Sequence, residues 1–291
     1  MSHNIKSAMV IGAGTMGAGI AEVLAKASIV TRLYDINDEA VSGGLERVGA
    51  SLAKAVAREK ITSDARTAIL NNISGSTQLE DCAGLDLVIE AAPEKIELKQ
   101  KIFKSLSENN ADAILASNTS SLSIAAIAAD TINPERVIGL HFFNPVPIMP
   151  LLEIVKAEAT SDDVVDRCRS LADDINKSPI VVRDSPGFAS SRLGLVLGLE
   201  AMRMLEAKVA SAQDIDRAME LGYRHPMGPL KLTDLVGLDV RLAIAEHLAK
   251  EIGPQFKVPE LLREMVKAGK LGKKTGEGFY RWDGKNALPK E

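Results

Sequence analysis

Aromatic residues are scarce, with one Trp, three Tyr and six Phe in 291 residues. That leaves few base-stacking platforms. Cationic excess is also missing: 35 Lys and Arg stand against 39 Asp and Glu, for a formal charge of −4. A mildly acidic chain without a long basic run is a poor nucleic-acid binder. No apolar run approaches the ~18 residues of a membrane-spanning helix. The N-terminus lacks the basic, apolar, small-residue order of a secretion signal. The only two cysteines, Cys82 and Cys168, lie far apart and form no paired motif. That points to a reducing, cytoplasmic setting and away from structural zinc. His3, His141, His225 and His247 show no ligand spacing, so no metal is expected.

What is present is an ordinary globular mixture, 46% hydrophobic and 25% charged. The length suggests about two domains. The first half alternates short apolar runs with helical periods. Ala8–Ile11 and Ile29–Tyr34 read as strands flanking an Ala-rich helix from Met16 to Ala27. Strand, glycine loop, helix and strand in this order make a βαβ unit and predict a parallel sheet. Further strands are expected at Leu85–Ala91, Ala113–Ala116, Val137–Leu140, Leu151–Val155 and Ile180–Val182.

Between Asp35 and Ile73 the pattern is helical, with Val41, Leu45, Val48, Leu52 and Val56 three or four residues apart. A simple crossover needs only about 12 residues, so a pair of helices projecting from the sheet is expected. Lys54, Arg58 and Lys60 crowd near its middle. After Asp184 the chain is broken by Ser185-Pro186-Gly187, and no clear strand follows. Arg192–Glu206, Ala212–Leu221, Leu238–Ile252 and Pro259–Ala268 read as helices. Ser211 with Asp214 resembles a helix start. The boundary is therefore placed near residue 184, giving domains 1–184 and 185–291.

Gly12-Ala13-Gly14-Thr15-Met16-Gly17 fits G-x-G-x-x-G directly after a predicted strand. In such a loop Gly12 makes the tight turn and Gly14 lets the backbone approach a pyrophosphate. Gly17 lets the helix pack on the strand, and the amides of the first helical turn, with Met16 among them, face the phosphate. Asp35 ends the next strand, 18 residues after Gly17, where an acid takes the ribose hydroxyls of NAD. A carboxylate there repels a 2′-phosphate, which favours NAD over NADP.

A cofactor is not yet a reaction. His141, in Gly139-Leu140-His141-Phe142-Phe143-Asn144-Pro145, lies at a predicted strand end, where parallel sheets place ligands. Oxidising an alcohol with NAD needs a base for the hydroxyl proton, and imidazole suits that task near neutrality. Glu153, 12 residues on, is a lone acid in an apolar run. Its burial is costly unless it is paired. A His–Glu pair would remove that cost and fix the imidazole tautomer.

The segment Gly139–Pro145 followed by Glu153 resembles the signature of the L-3-hydroxyacyl-CoA dehydrogenases. Ala116–Leu122 (ASNTSSL), Ile89–Glu94 (IEAAPE), Asp184–Phe188 (DSPGF) and Lys274–Tyr280 (KTGEGFY) are similar to the same family. The resemblance covers nearly the whole chain, and its members of the 3-hydroxybutyryl-CoA and 3-hydroxyadipyl-CoA dehydrogenase type are the most similar. It implies an α/β enzyme with a Rossmann-type, mostly parallel sheet carrying the helical-hairpin projection. An all-helical C-terminal domain would follow and form a homodimer, with apolar helices such as Leu193–Leu205 supplying the partner surface.

By resemblance the substrate is an acyl-CoA and the reaction is reversible NAD-dependent oxidation of an (S)-3-hydroxyacyl-CoA. Short 3-hydroxybutyryl-CoA is the expected substrate; 3-hydroxyadipyl-CoA and a non-CoA 3-hydroxy acid are the alternatives, and a non-catalytic crystallin-like protein is a third. His141 would be the base and Glu153 its orienting partner. Ser120 and Asn144 would lie beside the nicotinamide and the reacting oxygen. Glu94, Lys99 and Asn118 would line the cofactor, and Ser51 and Arg58 match CoA phosphate contacts. Two departures stand out. Ser191 occupies the place of an Asn that holds the substrate carbonyl, and an Arg224-His225 pair is inserted into a turn, where His225 is expected to have a surface or interface role.

Overall fold

The computed structural model describes residues 4–290. Its contacts divide the chain into two compact units, residues 1–188 and 189–291. The division falls four residues beyond the expected boundary because Phe188 is buried among Ile124, Val155 and their neighbours in the first unit.

The first unit begins with β1 (Ser7–Ile11), α1 (Thr15–Lys26), β2 (Val30–Tyr34), α2 (Asp38–Ala57), α3 (Ser63–Asn71) and β3 (Ile73–Ser76). It continues with β4 (Leu87–Glu90), α4 (Ile96–Asn109), β5 (Ile114–Ser117), the one-turn α5 (Ile124–Ile127), β6 (Val137–Phe142), β7 (Leu151–Lys156), α6 (Asp162–Asp174) and β8 (Ser178–Arg183). The strands form one sheet in the order β3-β2-β1-β4-β5-β6-β7-β8. All neighbours are parallel except β6 and β7. The chain between those two contains no crossover helix, and a short connection can only return antiparallel.

The sheet is covered on both faces, which explains why its central strands read as continuous apolar runs rather than alternating ones. Successive side chains point to opposite faces. Ala8 and Val10 of β1 enter one core cluster, and Met9 and Ile11 the other. Leu87 and Ile89 are split from Val88 in the same way, as are Ile138 and Leu140 from Val137.

The helix pair expected after β2 is present but does not stand free of the sheet. Val41 of α2 packs over Gly75 of β3, and Gly44 sits against Ala13 and Leu33. Val48 and Leu52 join Ile69 of α3 and Ala18 and Ala25 of α1 in a separate apolar cluster. Asn37 caps α2 by accepting the amide of Ala40, and Thr62 caps α3 through Ala65. β3 is a strand that helical periodicity hid: Ile73-Ser74-Gly75-Ser76 is short and polar, and only its edge pairing with β2 makes it one.

The second unit holds α7 (Ser190–Glu206), α8 (Ala212–Arg217), α9 (Pro229–Val236), α10 (Leu238–Glu251) and α11 (Glu260–Lys267). Ser211 caps α8 by accepting from the amide of Asp214, as its spacing predicts. α8 runs into a π-helical turn at Ala218–Gly222. The unit is helical up to its end, where β9 (Arg281–Asp283) and β10 (Asn286–Leu288) form an antiparallel hairpin that the sequence reading does not contain. No helix among the described residues is long and apolar enough to cross a membrane.

Candidate active site

The glycine loop joins β1 to α1 at the carboxyl ends of the strands. Its three glycines are required for three different reasons. Gly12 has a positive φ of 97°, and a Cβ on it would lie 2.8 Å from the Ala91 carbonyl oxygen. On Gly17 a Cβ would come within 1.7 Å of the Gly12 oxygen. On Gly14, which caps α1, a Cβ would meet nothing within 4 Å. The protein's own packing therefore does not demand glycine at position 14, whereas close approach of a phosphate does.

Asp35 stands beside this loop. One carboxylate oxygen accepts the Ala13 amide at 2.8 Å and the other the Ile36 amide at 2.7 Å. Gly12, Gly14, Met16 and Asp35 line one cleft of about 800 Å³ whose walls include Ile36, Leu79, Leu98 and Ile102. A slot of aliphatic walls with a carboxylate at its edge and an open glycine turn fits an adenine dinucleotide.

The other end of the site is built on the one antiparallel pair. His141 of β6 and Glu153 of β7 are direct cross-strand partners. Residues opposite one another share a face, and the imidazole Nδ1 lies 2.6 Å from Glu153 Oε2. Glu153 is fully buried and His141 is 7% exposed. A carboxylate can only accept, so the neutral ring carries its proton on Nδ1 and presents a lone pair at Nε2. The rings of Phe143 and Phe188 flank the imidazole, with centroids 4.4 and 5.9 Å away. The backbone amide of Phe142 donates to Asn118 Oδ1 at 2.9 Å, so Asn118 ties the end of β5 to the strand bearing His141.

Between the two ends lies an ionic network that is buried at Lys99 and Glu90 and reaches the surface at Glu94. Lys99 of α4, 1% exposed, donates to Glu90 Oε1 at 2.6 Å and lies 3.3 Å from Glu94 Oε2 and from the Ala92 oxygen. Its three ammonium protons are thus all engaged. Lys99, expected to line the cofactor, is buried, with the more exposed Glu94 as one of its partners. Glu90 Oε2 accepts from Ser117 Oγ at 2.7 Å. Glu94 Oε1 accepts from Thr119 Oγ1 at 2.6 Å, from the Ser120 amide at 2.9 Å and from Ser120 Oγ at 3.3 Å. Burial pushes the Glu94 carboxyl upward, but Lys99 and the bonds from Thr119 and Ser120 outweigh it and hold it below the ordinary range.

Ser51 and Asn144 line a common groove of about 380 Å³ with Thr15, Arg47 and Lys54. Ser51 and Arg58 line an adjoining one of about 350 Å³ with Lys54 and Lys60. Ser191 is in the first turn of α7, in the second unit. His225 is half-buried in the loop after the π-helical turn, its amide bonded to the Met219 oxygen.

Two participants were missed in the sequence. Glu90 is a lone acid ending an apolar strand, and the argument applied to Glu153 would have found it. Arg47 donates to the Ala13 oxygen of the glycine loop at 3.2 Å. Its spacing to Ser51, Lys54 and Arg58 is four, three and four, which is one helix face.

Comparison with known proteins gives the same answer along the whole chain. Residues 7–185 match the model of the 3-hydroxyacyl-CoA dehydrogenase NAD binding domain, and residues 187–282 that of the 3-hydroxyacyl-CoA dehydrogenase C-terminal domain. The chain is 44% identical over 285 residues to a probable 3-hydroxybutyryl-CoA dehydrogenase of Bacillus subtilis, covering 97% of this chain and 99% of that one. It is 42% identical to the 3-hydroxyadipyl-CoA dehydrogenase of Escherichia coli, covering 97% of this chain and 60% of that one. The crystal structure of (S)-3-hydroxybutyryl-CoA dehydrogenase from Ralstonia eutropha superposes with a TM-score of 0.93 at 42% identity, over 96% of this chain and all of that one. The glycine cleft, the paired histidine and the two matched domains lead to one conclusion: the chain belongs to the 3-hydroxyacyl-CoA dehydrogenase family, whose N-terminal domain binds NAD.

Proposed function

We propose that the protein catalyses reversible NAD-dependent oxidation of a short (S)-3-hydroxyacyl-CoA, such as 3-hydroxybutyryl-CoA, to the 3-oxoacyl-CoA. The observation that carries this reading is the 2.6 Å bond between His141 Nδ1 and the fully buried Glu153, which leaves Nε2 as a proton acceptor. NAD, when bound, supplies the hydride acceptor. His141 Nε2 takes the hydroxyl proton from the substrate, and Glu153 holds the imidazolium that results. In the reverse direction the same nitrogen returns the proton to the carbonyl oxygen.

Glu94 and Asn118 set the backbone around the cofactor end. Ser120 and Asn144 present polar groups toward the reacting oxygen. Ser51 and Arg58, in adjoining grooves with Lys54 and Lys60, meet the CoA phosphates. Asp35, at the edge of the cleft, selects NAD by accepting ribose hydroxyls.

The reading extends to a homodimer formed by the second unit. Leu193, Leu197, Val236 and Val240 of α7, α9 and α10 are exposed apolar residues that pairing would remove from water. Sedimentation should then find two chains per particle; a single chain at micromolar concentration would contradict that. Cys82 and Cys168 are free and buried, and burial pushes the Cys168 thiol up to about 12, which suits a cytoplasmic protein with no use for disulfides.

The direct assay follows NADH consumption with acetoacetyl-CoA, with free acetoacetate alongside. Turnover of the thioester alone is expected. Turnover of the free acid at a similar rate would shift the reading to a non-CoA 3-hydroxy acid. No turnover of either, with NADH bound, would favour a non-catalytic protein. A chain-length series that includes an ω-carboxylated thioester separates the butyryl from the adipyl reading.

A further inference from the structure

The segment between β6 and β7 forms one wall of both grooves that flank α1 and α2. Asn144, Pro145, Val146 and Pro147 line the first, and Pro147 and Ile148 the second. This wall cannot dock itself by ordinary means. Positions 145, 147 and 150 are prolines and have no amide to donate. The amides of Ile148 and Met149 are both spent inside the segment, on the Pro145 oxygen. The segment therefore offers carbonyl oxygens and needs donors from elsewhere.

Lys177, the residue before β8, supplies two of them, and the neighbouring Ser178 amide a third, to the Pro150 oxygen at 2.7 Å. Lys177 is 7% exposed, and its ammonium donates to the Val146 oxygen at 2.5 Å and the Met149 oxygen at 2.7 Å. Among the described residues it forms no ion pair. Burial, followed by the nearby charge of Lys26, lowers its pKa, and Glu22 opposes that shift. A buried ammonium without a carboxylate is costly, and two carbonyls are what this one holds. A second contact fixes the same segment from the side. Val146 is buried, and a Cβ on Gly19 of α1 would come within 2.9 Å of its Cβ.

We propose that Lys177 is a positioning residue for the substrate: by pinning the Val146 and Met149 carbonyls it sets the groove wall and the placement of Asn144 three residues after His141. This rests on the reading that these grooves take the acyl-CoA. It makes a distinction that a purely structural role would not. The dinucleotide cleft contains no residue of the pinned segment, and of that segment only Asn144 is expected beside the nicotinamide, so cofactor affinity should change far less than thioester binding.

The test is steady-state kinetics of Lys177→Met with acetoacetyl-CoA and NADH, together with NADH titration by fluorescence and amide hydrogen exchange. Misplacement of a positioning segment by an ångström can cost up to ~100-fold. We expect KM for acetoacetyl-CoA to rise about tenfold and kcat to fall, with the NADH Kd within about twofold of wild type. The Ile148 and Met149 amides should exchange at least about tenfold faster, while those of β6 and β7 stay protected. Lys177→Arg, which keeps the charge and donors, should lie between the two, and it serves as the test if the Met variant does not fold.

An unchanged KM with unchanged exchange would overturn the proposal, as would an equal loss of NADH and thioester affinity. Failure of the wild-type protein to turn over acetoacetyl-CoA would instead overturn the substrate reading, and this proposal with it.

Discussion

In the first unit the buried carboxylates of Glu90 and Glu153 face Lys99 and His141, side chains that carry or exchange protons. In the second unit the buried carboxylates of Asp216 and Asp234 face mainly the chain's own amides. Asp216 accepts from Leu230 and Lys231 and from the Tyr280 hydroxyl. Asp234 accepts from Phe279, Tyr280 and the Trp282 indole, fastening the segment after Gly278. The residue class and the burial are the same, yet the partners differ and so do the roles. The His141–Glu153 pair is the one the proposed chemistry uses. An acid surrounded by backbone donors holds a loop.

Substitutions can break that contrast. His141→Ala should lower kcat by at least ~100-fold, the scale of general-base catalysis, in a protein that still melts cooperatively. Glu153→Gln should reduce kcat by tens of fold, on the order of an orienting partner's contribution, and leave NADH affinity intact. A parallel loss of NADH binding would make Glu153 a structural acid like those of the second unit. Asp35 should give NAD a kcat/KM advantage over NADP of tens of fold or more, the cost of placing like charges together. Comparable values for the two cofactors would refute its assignment.

Asp234→Ala should show the opposite signature. Three buried donors lose their acceptor, so stability should fall by about 3 kcal/mol in denaturant unfolding. Activity per folded molecule should change little. Loss of turnover with full stability would remove the distinction drawn here.

The smallest effects are in the pH dependence of stability, and there the two units should have opposite signs. Glu94 is held below its ordinary 4.5 in the folded state, by Lys99 and its hydrogen bonds against the upward push of burial. Its contribution is present above that pH and is lost as pH falls through the folded value. Burial raises Asp234 above its ordinary 3.8, and the bonds from Trp282 and the amides offset only part of the rise. Its folded form takes up a proton first, so its contribution declines as pH rises from about 3.8 through the folded value. Unfolding free energies measured between about pH 3 and pH 6 should show wild type gaining on Glu94→Gln as pH rises and losing ground to Asp234→Asn. Slopes of the same sign would contradict both assignments.

Much of this was legible in the sequence because it rests on local pattern. The apolar runs of β1, β4 and β6 read as buried strands, and the glycine loop announced the cofactor cleft. Glu153 was visible because an acid inside an apolar run needs a partner. What stayed hidden depended on contacts between distant segments. β3 is a strand only through its edge pairing, and β9 and β10 pair mainly with each other in a polar tail. α9 was missed because it begins with Pro229 after a turn-rich stretch and spans only eight residues. Lys99 carries a family signature, but its burial and its pairing with Glu90 depend on how α4 packs against β5 and α5. Lys177 gave no signal at all, since one lysine before a strand resembles any other until the loop it holds is seen.

The central claim is that His141 gives and takes the proton of the reaction. It is tested most directly by the pH dependence of kcat/KM in the two directions. Oxidation of 3-hydroxybutyryl-CoA needs the neutral ring and should fall toward low pH. Reduction of acetoacetyl-CoA needs the charged ring and should fall toward high pH, giving limbs of opposite sign in the two directions. Inflections that persist in a folded His141→Gln variant, or limbs of equal sign in both directions, would contradict the account.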